Sequence, residues 1–406
     1  MRAIALAGAF LLLLGSACAS TSAASRQSPR QLQPRQIIVA IAADKGDELP
    51  AIRKALAAEY DLQEVGNFLL GSVELQCVVY QVGSDEAVPA VLARLGRDPR
   101  VALAEANQVF DERAGEPVAS AKDVLAYGAV LIRADAARRS KTGKGVKIAV
   151  VDTGLSSDHH GLRGRIAETR NFVEGGEASF AKDLHGTAVA GIIAAQRDDQ
   201  VGMAGIAPDA EILAVKACWY APGSAKAVCS SWTLAKAVDY AVGAGAQILN
   251  MSLSGPPDEL LRRLLEKAEQ RGVIVVAAAA ESADAPGFPA SMSQVIAVVA
   301  SDADGKVQLP AWTARTFAIA APGVDILTTV PADGYDFLSG SSLAAAHVSG
   351  VLALLLEENP KLTASEALEL LRSTARPLPG SEVVSRAGLL DACAALGRLM
   401  GSPSCP

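Results

Sequence analysis

Aromatic residues make up only 4% of this chain, and its basic residues never gather into a long run. With a formal net charge of −7, that second absence excludes the electropositive groove that nucleic-acid binding requires. No Cys-x-x-Cys pair and no Cys/His spacing of the zinc-site kind occurs, so no metal is expected in the chemistry. No acidic loop has clear calcium-ligand spacing either, which leaves structural calcium without a supporting motif. Internal repeats and low-complexity tracts are also lacking. What is plentiful is small and apolar: half of the 406 residues are hydrophobic and 35 are glycine. Such a composition suits a close-packed α/β protein and argues against disorder. The length has room for two or three domains.

The N-terminus points to export. Arg2 supplies a positive start, residues 3–14 are apolar but short for a mature membrane span, and small residues follow at 15–19. Residues 1–19 therefore read as a secretory signal peptide. Ala17-Cys18-Ala19 fits cleavage between small residues. Leu14-Gly15-Ser16-Ala17-Cys18 also fits a bacterial lipobox, with glycine where leucine is usual, and would make Cys18 a lipidated mature N-terminus. Both readings stand, so the expected destination is periplasmic, secreted, or membrane-anchored as a lipoprotein, with membrane contact only through that anchor. Six cysteines fit an oxidising compartment. Cys218 and Cys229 bracket a short polar loop, and Cys393 and Cys405 bracket the C-terminal tail. Two disulfides are expected there, although sequence alone does not deduce connectivity. Cys77, in an apolar run, is expected to be a buried thiol.

Along the chain, residues 20–35 are a polar linker. Residues 36–111 form a candidate small domain. Strand patterns at 36–42, 71–82 and 101–110 and helical spacing at 49–59 and 87–96 predict a β-α-β-β-α-β, ferredoxin-like unit. An acidic, proline-containing linker over 112–127 leads into residues 128–400, and 401–406 form a tail. In that large segment, β-branched or apolar runs at 146–151, 212–217, 247–252, 273–279 and 295–300 alternate with helical segments such as 232–242 and 259–271. This alternation predicts an α/β fold with a parallel sheet flanked by helices, and a site beyond the carboxyl ends of its strands.

Three segments each hold one polar residue in small or apolar surroundings. Asp152 ends a strand in Val150-Val151-Asp152-Thr153-Gly154. His185 opens a helix in His185-Gly186-Thr187-Ala188-Val189-Ala190-Gly191, and Ser342 opens another in Gly340-Ser341-Ser342-Leu343-Ala344. A serine hydroxyl is a weak nucleophile that needs a base, and histidine is the side chain suited to that task near neutrality. A buried carboxylate orients the imidazole, and a helix start aims a backbone N–H at a developing oxyanion. Taken singly, a strand-ending aspartate is more often a turn cap and a helix-opening serine an N-cap. Of the remaining histidines, His347 reads as a packed core residue, and His159 and His160 as structural.

In order and content these segments resemble the subtilase family, over about residues 127–397. KIAVVDTG is similar to its aspartate motif, HGTAVAG to its histidine motif and LSGSSLAAAHVSG to its serine motif, in the order Asp–His–Ser. GIAPDAEILAVKA, ILNMSLSGP and FAIAAPGVDILTTVP also match. The resemblance implies a secreted serine endopeptidase that needs no cofactor and works as a monomer on extended polypeptides. Asp152 would orient, His185 would serve as base and acid, and Ser342 would attack. Ser252, Leu253 and Ser254 would pair with the substrate as an added strand. The N-terminal unit resembles a propeptide that acts as chaperone and inhibitor of its own chain, cut away between about residues 111 and 127.

The pattern breaks at the oxyanion hole. Aligning residues 275–279 puts Ala280 where the family has glycine and Glu281 where it has the asparagine donor. Ala279 and Ala280 would line the substrate pocket, and the Ala280 methyl would disfavour a bulky side chain there. Three outcomes follow for Glu281: it is protonated and donates, Ser282 donates in its place, or the enzyme relies on the Ser342 backbone N–H alone and is slow. A catalytically impaired, peptide-binding protein of the cell envelope is the competing reading. A milder departure is Ala346, which stands where the family has proline.

Overall fold

A computed structural model describes residues 35–83, 87–112, 126–221, 224, 226–280, 284–379, 386–402 and 405. The signal segment with Cys18, residues 113–125, and Glu281 with Ser282 lie outside the described residues.

The N-terminal unit runs β1 (Gln36–Ala42), α1 (Leu49–Glu59), β2 (Leu62–Leu70), β3 (Leu75–Val82), α2 (Val88–Leu95) and β4 (Leu103–Ala106). Its strands form an antiparallel sheet in the order β2-β3-β1-β4. That is the ferredoxin-like arrangement, with two corrections. The hairpin expected within 71–82 is built instead from β2 and β3 around a turn at 71–74. The alternation in β2 is hidden because its register slips between Glu64 and Gly66, which puts the apolar positions out of phase. The closing strand expected over 101–110 is two strands. After β4 the chain leaves the sheet and β5 (Val109–Glu112) joins another.

The second unit opens with α3 (Tyr127–Leu131), α4 (Ala134–Ala137), β6 (Lys147–Asp152), β7 (Ile166–Asn171), α5 (Glu177–Phe180) and α6 (Leu184–Ala194). It continues through β8 (Glu211–Lys216), β9 (Cys218–Tyr220), β10 (Ala227–Ser230), α7 (Ser231–Gly243), β11 (Ile248–Met251) and β12 (Leu253–Ser254). Then come α8 (Glu259–Gln270), β13 (Ile274–Ala278), β14 (Ile296–Ser301), β15 (Ile319–Pro322), and the hairpin of β16 (Ile326–Val330) and β17 (Gly334–Leu338). The unit closes with α9 (Ser341–Glu358), α10 (Ala364–Thr374), β18 (Gly388–Leu389) and α11 (Ala392–Leu399).

Eight strands form one parallel sheet in the order β18-β15-β14-β13-β11-β6-β8-β7. Its central strands carry no polar face because both faces are covered, whereas the edge strand β7 is polar and exposed. Ile148 and Val150 of β6 enter the core shared with α6 and α9, while Ala149 and Val151 enter the core shared with α7 and α8. The second core extends into the N-terminal unit, through Ile38, Ala40, Cys77 and Val79. There the Trp232 ring of α7 lies edge-on to Phe68 and so close to Gly66 that a Cβ at that position would sit 2.8 Å from it. A small antiparallel sheet, β12-β5-β10-β9, takes β5 from the N-terminal unit and the rest from the second.

The chain carries the two expected bridges, Cys218–Cys229 across β9 and β10, and Cys393–Cys405. Cys77 is a buried free thiol, its pKa pushed up by burial. Helix α9 runs unbroken past Ala346. It is apolar enough to cross a membrane, but 89% of it is buried inside the protein, as befits a core helix.

Candidate active site

Asp152 is the last residue of β6, at the carboxyl edge of the parallel sheet, and His185 stands in the first turn of α6. The imidazole Nδ1 lies 2.9 Å from Asp152 Oδ1 and 3.0 Å from Oδ2. The Thr153 backbone N–H also donates to Oδ1, at 2.7 Å. Gly186 lets the helix start this near the strand, because a Cβ there would lie 2.0 Å from the Gly154 carbonyl oxygen. Ser342 is in the first turn of α9, which packs against α6. Its hydroxyl donates to the Ser252 carbonyl at 3.1 Å. Ser252 is held in turn: its hydroxyl donates to the Ser342 carbonyl at 3.2 Å and accepts from Asn250 Nδ2 at 2.9 Å, and Ser349 donates to Asn250 Oδ1 at 2.8 Å. His185 Nε2 is buried without a hydrogen-bond partner. The aspartate–histidine half of the constellation is therefore bonded, while the serine hydroxyl is turned to Ser252.

Burial opposes charge on both members of the bonded pair, and their mutual attraction outweighs it. Asp152 is held below its ordinary value by His185 and the Thr153 N–H. Against the desolvation of its ring, Asp152 and then Glu112 push His185 up to about 9. A buried ion pair ties the end of β6 to the start of α6. Lys216 Nζ lies 2.6 Å from Asp183 Oδ2 and also donates to the Thr153 carbonyl.

The chain's own β5 lies across this site. It pairs antiparallel with β12, Leu253 opposite Glu112 and Ser254 opposite Asp111, and with β10 on its other edge. Phe110 is fully buried, its ring centroid 6.2 Å from that of Phe288. Glu112 is buried with its Oε1 3.5 Å from His185 Nδ1. Ala279 and Ala280, at the end of β13, are buried on the opposite side of β11 from Asp152.

The sequence model described as the subtilase family matches residues 143–389. Subtilisin Savinase of Lederbergia lenta is 36% identical over 272 residues, which cover 66% of this chain and 97% of that protein. Thermitase of Thermoactinomyces vulgaris is 35% identical over 269 residues, covering 66% and 94%. Subtilisin DY of Bacillus licheniformis is 34% identical over 263 residues, covering 63% and 93%. The chain belongs to the subtilase family. This subtilase is a serine-type endopeptidase, and its substrates are polypeptides.

Some groups at the subtilase site escaped the sequence reading. Glu112 sits at the end of a short strand whose partner strands are over 100 residues away, so no local pattern marks it. Lys216 left one trace, a lysine at the end of an otherwise apolar run. The other histidines make bonds away from the Asp152–His185 pair. His347 is buried and donates from Nδ1 to the Leu343 carbonyl at 2.8 Å, and desolvation pushes its pKa down to about 4. His159 uses both ring nitrogens on backbone, accepting from the Gly161 N–H and donating to the Gly334 carbonyl. His160 bonds Asp198 and Tyr335 through Nε2. Among the described residues, two clusters could gather round an ion, His159–His160–Asp333 and Glu112–Asp152–His185. The first has two imidazoles and the second one, so neither is the all-oxygen shell that calcium prefers.

Proposed function

We propose that Asp152, His185 and Ser342 are the catalytic triad of an exported endopeptidase, and that the N-terminal unit, residues 36–111, is its propeptide, cut away between about residues 111 and 127. The observation that carries the proposal is the Asp152–His185 bond beside a serine at a helix start, with a peptide strand already paired across them. Turning the Ser342 hydroxyl from the Ser252 carbonyl to the free Nε2 of His185 gives the base its proton to take. Ser342 Oγ then attacks the peptide carbonyl carbon, and Nε2 takes the hydroxyl proton. The resulting imidazolium is stabilised by Asp152 and hands its proton to the leaving amine. Water, deprotonated by the same ring, then releases the acyl group. Ser252, Leu253 and Ser254 hold the substrate as β12 holds β5, and the Ser342 backbone N–H faces the oxyanion. Lipidation at Cys18 belongs to the same proposal only as one of its two export routes.

The test is Ser342→Ala. Casein cleavage and labelling by a fluorophosphonate are expected to vanish, with a loss of about a million-fold in turnover, the value subtilisin itself shows. Cleavage that survives the substitution would refute the assignment. Glu281, in the asparagine position, favours a second reading, an impaired peptide-binding protein. Activity that rises as pH falls fits a protonated, donating Glu281, whereas silence at every pH favours the impaired protein.

A further inference from the structure

We propose that Lys216 is a positioning residue of this protease, fixing the Asp152–His185 pair by bonding both the peptide that follows Asp152 and the residue that opens the helix of His185. Its effect on turnover rests on the endopeptidase reading above, and its effect on the pair does not.

Lys216 ends β8, beside β6 in the sheet, and its register partner there is Asp152. Side chains alternate along β8. Ile212 and Ala214 enter the core shared with α6 and α9, and Leu213 and Val215 enter the other, so Lys216 turns to the α6 side. It is fully buried there. Gly176 leaves room for it, since a Cβ at that position would lie 2.8 Å from Lys216 Cε. A buried ion pair adds little net stability, because desolvation offsets the attraction. Burial pushes the Asp183 carboxyl up to about 6 even with Lys216 beside it. Stability alone therefore does not account for the charge.

Two chains of bonds lead from Lys216 Nζ to the pair. The first passes through Thr153. Nζ donates to the Thr153 carbonyl, while the Thr153 N–H donates to Asp152 Oδ1 at 2.7 Å and its hydroxyl donates to the same oxygen at 3.2 Å. The second passes through Asp183, the N-cap residue of α6. An aspartate there ordinarily accepts an N–H of its own helix. Asp183 makes no such bond, and its Oδ2 instead takes Lys216 Nζ at 2.6 Å, across 33 residues of chain. Its carbonyl accepts the Thr187 hydroxyl at 2.6 Å, which ties it to the helix two residues past His185. The fit is close, for a Cβ on Gly154 would lie 2.9 Å from Asp183 Oδ2. One ammonium thus spans the strand end and the helix start whose separation sets the 2.9 Å contact of Asp152 Oδ1 with His185 Nδ1.

The experiment uses Lys216→Met, which keeps the apolar stem and removes the charge and its donors. In the full-length Ser342→Ala protein, the proton between His185 Nδ1 and Asp152 should give a far-downfield NMR resonance. Adding Lys216→Met should move that resonance upfield or lose it to exchange. In enzyme matured from the full chain, kcat is measured per active site titrated to completion with fluorophosphonate. Lys216→Met should lower kcat about 100-fold and leave KM within about threefold, as for a displaced catalytic group rather than a lost substrate contact. A merely structural lysine would change the number of titrated sites and leave kcat per site and the resonance unchanged, and that result overturns the proposal. Asp183→Asn keeps the shape and should lower kcat about tenfold in the same way. If Lys216→Met fails to fold, Asp183→Asn decides, and an unchanged kcat overturns the proposal. A wild type that takes up no label overturns the endopeptidase reading alone, and the resonance then decides whether Lys216 positions the pair.

Discussion

Beside the apolar core around Trp232, the N-terminal unit meets the second unit at two polar regions that differ in kind. On the outer face, polar groups meet donors that need them. The Asp239 carboxylate of α7 accepts the backbone N–H groups of Ser72 and Gly71, at 2.8 and 3.2 Å. Asn107 Oδ1 accepts from the Trp232 N–H in the first turn of α7, and Glu105 accepts from the Glu259 and Leu260 N–H groups at the start of α8. Helix N-termini leave such donors unpaired, and Glu105 meets them inside the contact, where burial first and then the Asp258 charge push its carboxyl up to about 8. In the cleft no such donors are on offer. Glu112 brings a carboxyl into a buried space that already contains Asp152, Asp183, His185 and Tyr220, and neither of its oxygens has a hydrogen-bond partner. The outer contacts give their carboxylates donors, whereas the cleft gives Glu112 none.

Glu112→Gln should break that contrast most visibly. Burial first, then the Asp152 charge, pushes the docked Glu112 carboxyl well above its ordinary 4.5, and His185 is pushed up to about 9. The Glu112 shift means that the docked carboxyl holds a proton that the separated group would release, whereas His185 is raised first by Asp152, its neighbour with or without β5. The Glu112 contribution to docking is therefore full below about pH 4.5 and fades as pH rises through the docked carboxyl's raised value, by up to about tenfold per pH unit. In the full-length Ser342→Ala protein, hydrogen-exchange protection of the β5 amides should fall across that window. It should fall far less once Glu112→Gln is added to that protein. Equal pH dependence in the two proteins would remove the distinction between the regions.

Asp239→Ala tests the outer face. It strips the acceptor from two backbone N–H groups at the 71–74 turn and should weaken docking by about 1.5–3 kcal/mol, the usual worth of bonds to a charged group. Trypsin nicking of the precursor would report the loss, and the effect should change little between pH 6 and 9. Asn107→Ala should act in the same direction and be smaller, about 1 kcal/mol, as for a lost helix cap. A pH dependence in either variant as steep as that of the cleft would show that the outer contacts also depend on a proton.

Much of the fold was legible in the chain. The bounds of β1 and α1 match the expected segments residue for residue: α1 packs on a single core and shows its period, while β1 reads as an apolar run because its residues face two cores in alternation. Five strands of the parallel sheet, β6, β8, β11, β13 and β14, were legible as apolar runs because both faces are buried, while the exposed, polar edge strand β7 and the short β15 and β18 were not. Strand β2 was not, because a bulge resets its phase. Nor was β5, four residues long and stabilised wholly by strands distant in sequence.

The order of the Asp152, His185 and Ser342 segments, and the elements that carry them, were determined by sequence alone, since strand ends, helix starts and their glycines are local matters. Only tertiary structure decided that Glu112 lies against His185, that the Ser342 hydroxyl rests on Ser252, and that Lys216 meets Asp183. Each of these meetings joins residues far apart in the chain or depends on how the sheet edge is packed. No local propensity encodes a contact that only close packing of the whole chain creates.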